Sequence, residues 1–213
     1  MRKLFVFGFV LVLFPSCQKE KPVESKSSYA PLAIGNYWIY QNFNVDEAGI
    51  ETATSIVDSV TVTRDTVVNS QTYYVLEGTN QPFNENRGVI DLLRDSSGYL
   101  VNRNGLIRFA ENDFTKELAR KVEIQNGDTL FTLVYQMEKQ PLRAVVPAGT
   151  FDVLNYRGTL NYPTTISGLN NPRYINIQYA NNVGKVSETI LFYSDPRTIE
   201  KRLVRYHIQK AND

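Results

Sequence analysis

The side chains able to do chemistry are few and scattered. His207 is the only histidine in 213 residues, and Cys17 the only cysteine. His207 lies in Val204-Arg-Tyr-His-Ile208, a segment that reads as a C-terminal strand. A Ser-His-Asp triad would need a serine and an acid converging on it, and no G-x-S-x-G turn supplies the serine. A zinc site draws on several His or Cys ligands, and the chain has one of each. His207 is therefore expected to be a strand residue, and catalytic, cofactor and metal sites are all read as none. Paired carboxylates remain, since a glycosidase needs two acids a few ångströms apart. Asp58, Asp65, Glu77, Asp91, Asp95, Glu117 and Asp152 could serve, but their neighbours read as strand faces or turns. Asp95-Ser-Ser-Gly98 has turn composition. The acidic run Glu111-Asn112-Asp113 lacks the glycine and closing glutamate of a calcium loop, and no glycine-rich phosphate loop occurs.

Cys17 stands in a more telling context. Met1-Arg2-Lys3 precedes an apolar run from Leu4 to Phe14, and Pro15-Ser16-Cys17 leads into the polar stretch Gln18–Lys21. Eleven apolar residues are too short for a membrane span but suit the h-region of a signal peptide. A small residue before a cysteine at the end of such a region resembles the lipobox of bacterial lipoproteins. Phe14 replaces the usual leucine, and Pro15 is unusual in its slot. The resemblance implies cleavage before Cys17, with diacylglycerol on its sulfur and fatty acyl groups such as palmitate. This would also remove the hazard of a lone exported thiol. The expected division is a signal peptide over residues 1–16, lipidated Cys17 with a polar tether over 17–28, and one domain over 29–213. Two or more acyl chains anchor a protein stably. The expected location is thus the cell envelope, at the outer membrane on its periplasmic or surface side.

Composition sets the class of the domain. Removing residues 1–16 takes away Arg2 and Lys3, so the formal charge falls from +1 by two to −1. Such a chain lacks the basic face that nucleic acid requires. Thirteen tyrosines and eleven phenylalanines, with frequent Thr and Val, favour pleated, half-buried surfaces.

The elements that must position these residues are short and alternating. Tyr37 opens a strand after a turn at Gly35-Asn36, with Trp38 and Tyr40 on one face and Tyr37 and Ile39 on the other. Thr54–Arg64 places Ile56, Asp58, Val60 and Val62 on one face. Asp65–Val68 and Gln71–Leu76 flank Asn69-Ser70, Tyr99–Asn102 and Leu106–Ala110 flank Asn104-Gly105, and Asn126-Gly127 opens Thr129–Met137, all hairpin signals. Gly88–Arg94, Arg143–Val146, Phe151–Leu160, Arg173–Tyr179, Lys185–Tyr193 and Ile199–Ile208 continue the series. Asp113–Lys121 is the one helix candidate, with Asp113 as cap, Phe114 and Leu118 one turn apart, and Glu117 paired to Lys121. About a dozen strands spaced by roughly 8–12 residues predict an antiparallel all-β protein with minor helix.

Three segments carry a wider resemblance. Pro31-Leu-Ala-Ile-Gly-Asn-Tyr-Trp-Ile-Tyr40, Val146-Pro-Ala-Gly-Thr-Phe-Asp-Val-Leu154 and Gln178-Tyr-Ala-Asn-Asn-Val-Gly-Lys-Val186 resemble, in order and spacing, a group of uncharacterised Gram-negative lipoproteins. Asn181-Asn182 stands where glycine is common in that group. The resemblance implies a strongly curved antiparallel sheet, a half-barrel or open barrel, with a β-sandwich as the alternative. In these motifs Gly35 and Gly149 serve turns, Pro147 starts one, and Gly184 marks a bulge or close backbone approach. Trp38 is expected to fill the core with its N–H bonded to a carbonyl. The strand tyrosines, among them Tyr73, Tyr156 and Tyr179, should bridge core and solvent, or else line a pocket or glycan platform. A non-catalytic envelope module is expected, its partners being the membrane, through the anchor, and an apolar small ligand or an envelope protein. A continuous apolar cavity favours ligand binding. A solid core with an open edge strand favours strand addition to a partner. Two buried acids converging in a cleft favour a hydrolase.

Overall fold

A computed structural model describes residues 28–139, 142–163 and 168–209. Cys17, the expected signal peptide and the expected tether up to residue 27 lie outside the described residues. Among the described residues, thirteen strands form one antiparallel sheet. In chain order they are β1 Tyr37–Val45, β2 Glu51–Val68, β3 Gln71–Asn80, β4 Asn84–Ser96, β5 Tyr99–Asn102, β6 Ile107–Ala110, β7 Ala119–Gln125, β8 Asp128–Met137, β9 Leu142–Val146, β10 Gly149–Asn161, β11 Arg173–Ala180, β12 Gly184–Leu191 and β13 Thr198–His207. Their order across the sheet is β6-β5-β4-β3-β2-β1-β13-β12-β11-β10-β8-β7, with β9 beside β10. Two meanders are thus joined where the first strand meets the last, Tyr37 opposite His207.

The sheet curls into a nearly closed barrel. Side chains rather than a ladder close it: the Tyr156 hydroxyl of β10 donates to the Ile107 carbonyl of β6 at 2.7 Å. The Ala110 amide of β6 donates to the Met137 sulfur of β8 at 3.5 Å. The polar groups of a short edge strand are thereby occupied, which blunts unwanted pairing. One apolar cluster gathers Trp38, Val62, Val146, Val153, Val186 and Leu203. A second gathers Leu93, Leu100, Phe109, Leu118, Met137, Tyr156 and Tyr179 near the closure.

The hairpin signals hold. Asn69 and Ser70 have φ of 49° and 61°, and Asn126 and Gly127 have 53° and 89°. Both central residues of each turn are left-handed, the twist that two-residue hairpins need. Asp65–Val68 is not a separate strand: it continues Thr54–Arg64 as β2, with a register shift between Val62 and Arg64.

The expected helix over Asp113–Lys121 is absent, and no helix occurs among the described residues. Asp113 does cap a turn, accepting from the Lys116 amide at 3.3 Å. The chain then extends: the Leu118 amide donates to the Tyr135 carbonyl at 2.8 Å, and Ala119–Gln125 pairs with β8. Glu117 binds Arg120 and Lys121 binds Glu123, in place of the expected Glu117–Lys121 pair. Nine residues are too few to hold a helix by propensity alone. Val122 and Ile124 suit the free ladder that β8 offers.

Candidate functional site: a charged cleft inside the curved sheet

Strand alternation turns every second side chain of β1, β2, β12 and β13 inward. On β1 these are Trp38, Tyr40 and Asn42, all buried. Register then aligns Asn42, Lys201, Glu188, Ile177, Tyr156 and Met137 side by side across β1, β13, β12, β11, β10 and β8. Asp58 lies opposite Tyr40, which lies opposite Leu203. A band of charge therefore crosses an otherwise apolar concave face.

Beside this band is a cavity of about 310 Å³. Its apolar wall includes Leu32, Trp38, Val60, Leu76, Leu93, Leu100, Ile177 and Tyr179, and its polar wall Asp58, Asn80, Asp91, Arg108, Lys185, Glu188 and Lys201. Residues 28–32 run across it as a strap. The Asn182 amide donates to the Ser28 carbonyl at 2.8 Å, and the Tyr29 ring lies 5.3 Å from Phe109. The strap so links the β11–β12 turn to β6. Gly184 is required there: its φ is +91°, and a Cβ would lie 3.3 Å from both Pro31 and the Trp38 indole.

Among the described residues, the acids and cations of the cleft are matched one to one. Lys201 donates to Asp58 and to Asn80, each at 2.7 Å, and both charged side chains are at most 4% exposed. Asp58 also accepts from the Gln81 amide. Lys185 donates to Glu188 at 2.6 Å nearer the rim, and Arg108 stands 3.5 Å from Asp91. Burial pushes the Lys201 ammonium below its ordinary range, against the opposing pull of Asp58. Burial alone would raise the Glu188 carboxyl, but Lys185, with Lys201 and Arg108, holds it below the usual range. At Asp91 burial prevails over Arg108 and the carboxyl is raised. Burial also raises the Tyr40 and Tyr179 phenols, both further raised by Glu188.

Trp38 is 5% exposed and donates its indole N–H to the Val183 carbonyl at 2.6 Å, as its role as a core residue requires. It is a wall of the cleft as well. His207 is an exposed strand residue stacked on Tyr37 at 5.7 Å. Of the acids considered from sequence, the structure brings Asp58 and Asp91 into the cleft. Asp95 accepts from the Gly98 amide in its turn, Glu77 pairs with Arg64, Asp65 and Asp152 are exposed, and Glu117 is outside the cleft. Among the strand tyrosines named above, Tyr179 faces the cleft, whereas Tyr156 serves the closure. Sequence reasoning missed Lys185, Glu188, Lys201 and Arg108. The signal for two of them was present: Lys201 is in phase with Ile199 and Leu203, and Glu188 with Val186 and Ile190, so each puts a charge on an apolar face. Among the described residues no group of three or more His, Cys, Asp or Glu could hold a metal ion.

Two solved bacterial structures are similar to this chain over most of its length. A candidate lipoprotein from Parabacteroides distasonis ATCC 8503 is 16% identical, with a TM-score of 0.49 over 84% of this chain and 98% of that one. A candidate exported protein with a YmcC-like fold, from Bacteroides fragilis NCTC 9343, is 15% identical, with a TM-score of 0.48 over 83% and 97%. No protein-family model and no curated protein matches the chain.

Proposed function

We propose that this domain is a non-catalytic binding module of the bacterial cell envelope, tethered to a membrane by lipid on Cys17, which takes an apolar small ligand into the curve of its sheet. The observation that carries this reading is the cleft of about 310 Å³ between Trp38, Leu76, Leu93 and Tyr179. That volume lies at the lower end of small-molecule sites, which are mostly apolar with a few placed polar groups. The acids in the cleft are each held by a cation, which favours a structural over a hydrolytic role for them.

Trp38 is the only tryptophan, so its emission reports on the cleft alone. Titration with N-phenyl-1-naphthylamine, an uncharged apolar dye, should quench it saturably with one dye per protein. Ala30→Phe, which adds a ring to the cleft wall, should weaken that binding at least about tenfold. Absence of saturable quenching would refute the reading.

A second reading rests on β7. Its neighbour β8 pairs with it on one side, and among the described residues no strand pairs with the other. Val122 and Ile124 are exposed there, at 47% and 62%. Such an edge could recruit a partner by strand addition. Lys121 and Glu123 on the same strand oppose indiscriminate pairing.

A further inference from the structure

We infer that the cleft selects an uncharged amphiphile, one with a hydroxyl, ester or amide head and an apolar tail, over ligands bearing net charge. This rests on the ligand-binding reading above. Lys201, Lys185 and Arg108 face Asp58, Glu188 and Asp91 across the same space, each cation with its own acid. Among the described residues the formal charges cancel, and no cation or carboxylate lining the cleft is left over to neutralise a charged head. A charged head would have to lose its water without gaining a counter-ion, among walls that are otherwise uncharged.

Neutral polar groups are better provided for. Tyr179, Asn80 and Glu188 line the cleft, and the Tyr179 hydroxyl, the Asn80 side-chain nitrogen and the second carboxylate oxygen of Glu188 make no hydrogen bond within the described residues. They offer donors and an acceptor together, which a hydroxyl, ester or amide can use. Leu32, Leu93 and Leu100 offer a tail its surface.

Three ten-carbon probes separate the possibilities: 1-monodecanoylglycerol, decanoate and decyltrimethylammonium, each titrated below its aggregation threshold with Trp38 emission as readout. The neutral probe should bind at least about tenfold more tightly than either ion. Glu188→Gln, a near-isosteric change nearer the rim, leaves Lys185 without its acid. It should shift the ratio of decanoate to monodecanoylglycerol affinity toward decanoate by about tenfold, with the far-ultraviolet circular dichroism of the fold retained. An ion that binds the wild type as tightly as the neutral probe overturns the inference and leaves the ligand-binding reading standing. A wild-type preference that Glu188→Gln does not narrow also overturns it, because charge balance would not be its cause. Failure of all three probes overturns the inference, and the dye titration above then decides whether the ligand-binding reading stands.

Discussion

Lys201 and Asp58 lie 143 positions apart and form an ion pair of 2.7 Å inside the sheet. The pair joins β13 to β2 across β1, so it ties the last strand to the first hairpin. Removing one partner leaves a buried charge uncompensated. Lys201→Ala should cost about 3–5 kcal/mol, measured by urea unfolding. Replacing both, as Asp58→Leu with Lys201→Met, should recover most of that loss, since a packed apolar pair needs no desolvation. Equal losses in the single and double variants would contradict this account.

Glycines of this chain should differ sharply in tolerance. A Cβ on Gly78 would lie 1.7 Å from the Ser59 carbonyl oxygen in β2, a collision with backbone that no rotamer relieves. Gly78→Ala should therefore destabilise by more than about 4 kcal/mol. Gly105 has φ of +80° but nothing within 4 Å of its Cβ. Its alanine variant meets only the left-handed backbone cost, about 1–2 kcal/mol. Thermal unfolding of the two variants tests the contrast.

Stability in acid should depend on Glu188. The folded carboxyl ionises below its ordinary value of 4.5, so the unfolded chain binds the proton more readily. Its contribution is full above pH 4.5 and fades as pH falls through the folded value. Wild type should exceed Glu188→Gln by about 0.5–1 kcal/mol at pH 7, and the gap should close at lower pH. Asp91, whose carboxyl is raised, acts with the opposite sign, so Asp91→Asn should not narrow the acid limb. Urea midpoints from pH 7 to pH 3 measure both.

Processing at the N-terminus is checked by intact mass. Membrane-extracted protein should weigh the chain from Cys17 plus acyl groups, and Cys17→Ala should stay uncleaved. A bare mature chain with a free thiol would remove the anchor from the proposal.

Much of the architecture was legible because strands and hairpins are local. Period-two alternation placed Trp38 and Tyr40 on the buried face of β1. The pairs Asn69-Ser70 and Asn126-Gly127 marked turns that only left-handed backbone can make. The helix expected over Asp113–Lys121 failed for a non-local reason: β8, whose partner edge lies beyond Asn126, supplies hydrogen bonds that outweigh a marginal helix.

The cleft was far less legible. Asp58 and Asp91 were among several equivalent acids until the fold set Lys201 and Arg108 beside them. Sequence determined the strands, their hydrophobic phase, the hairpin turns and the lipobox-like context of Cys17, because each rests on neighbours within a few residues. Tertiary structure alone decided which charges meet, that Tyr156 and Met137 seal the β6 edge, and that a strap at residues 28–32 roofs a cavity. Those depend on register and curvature across distant strands, and a one-residue slip would turn every one of these side chains to the opposite face.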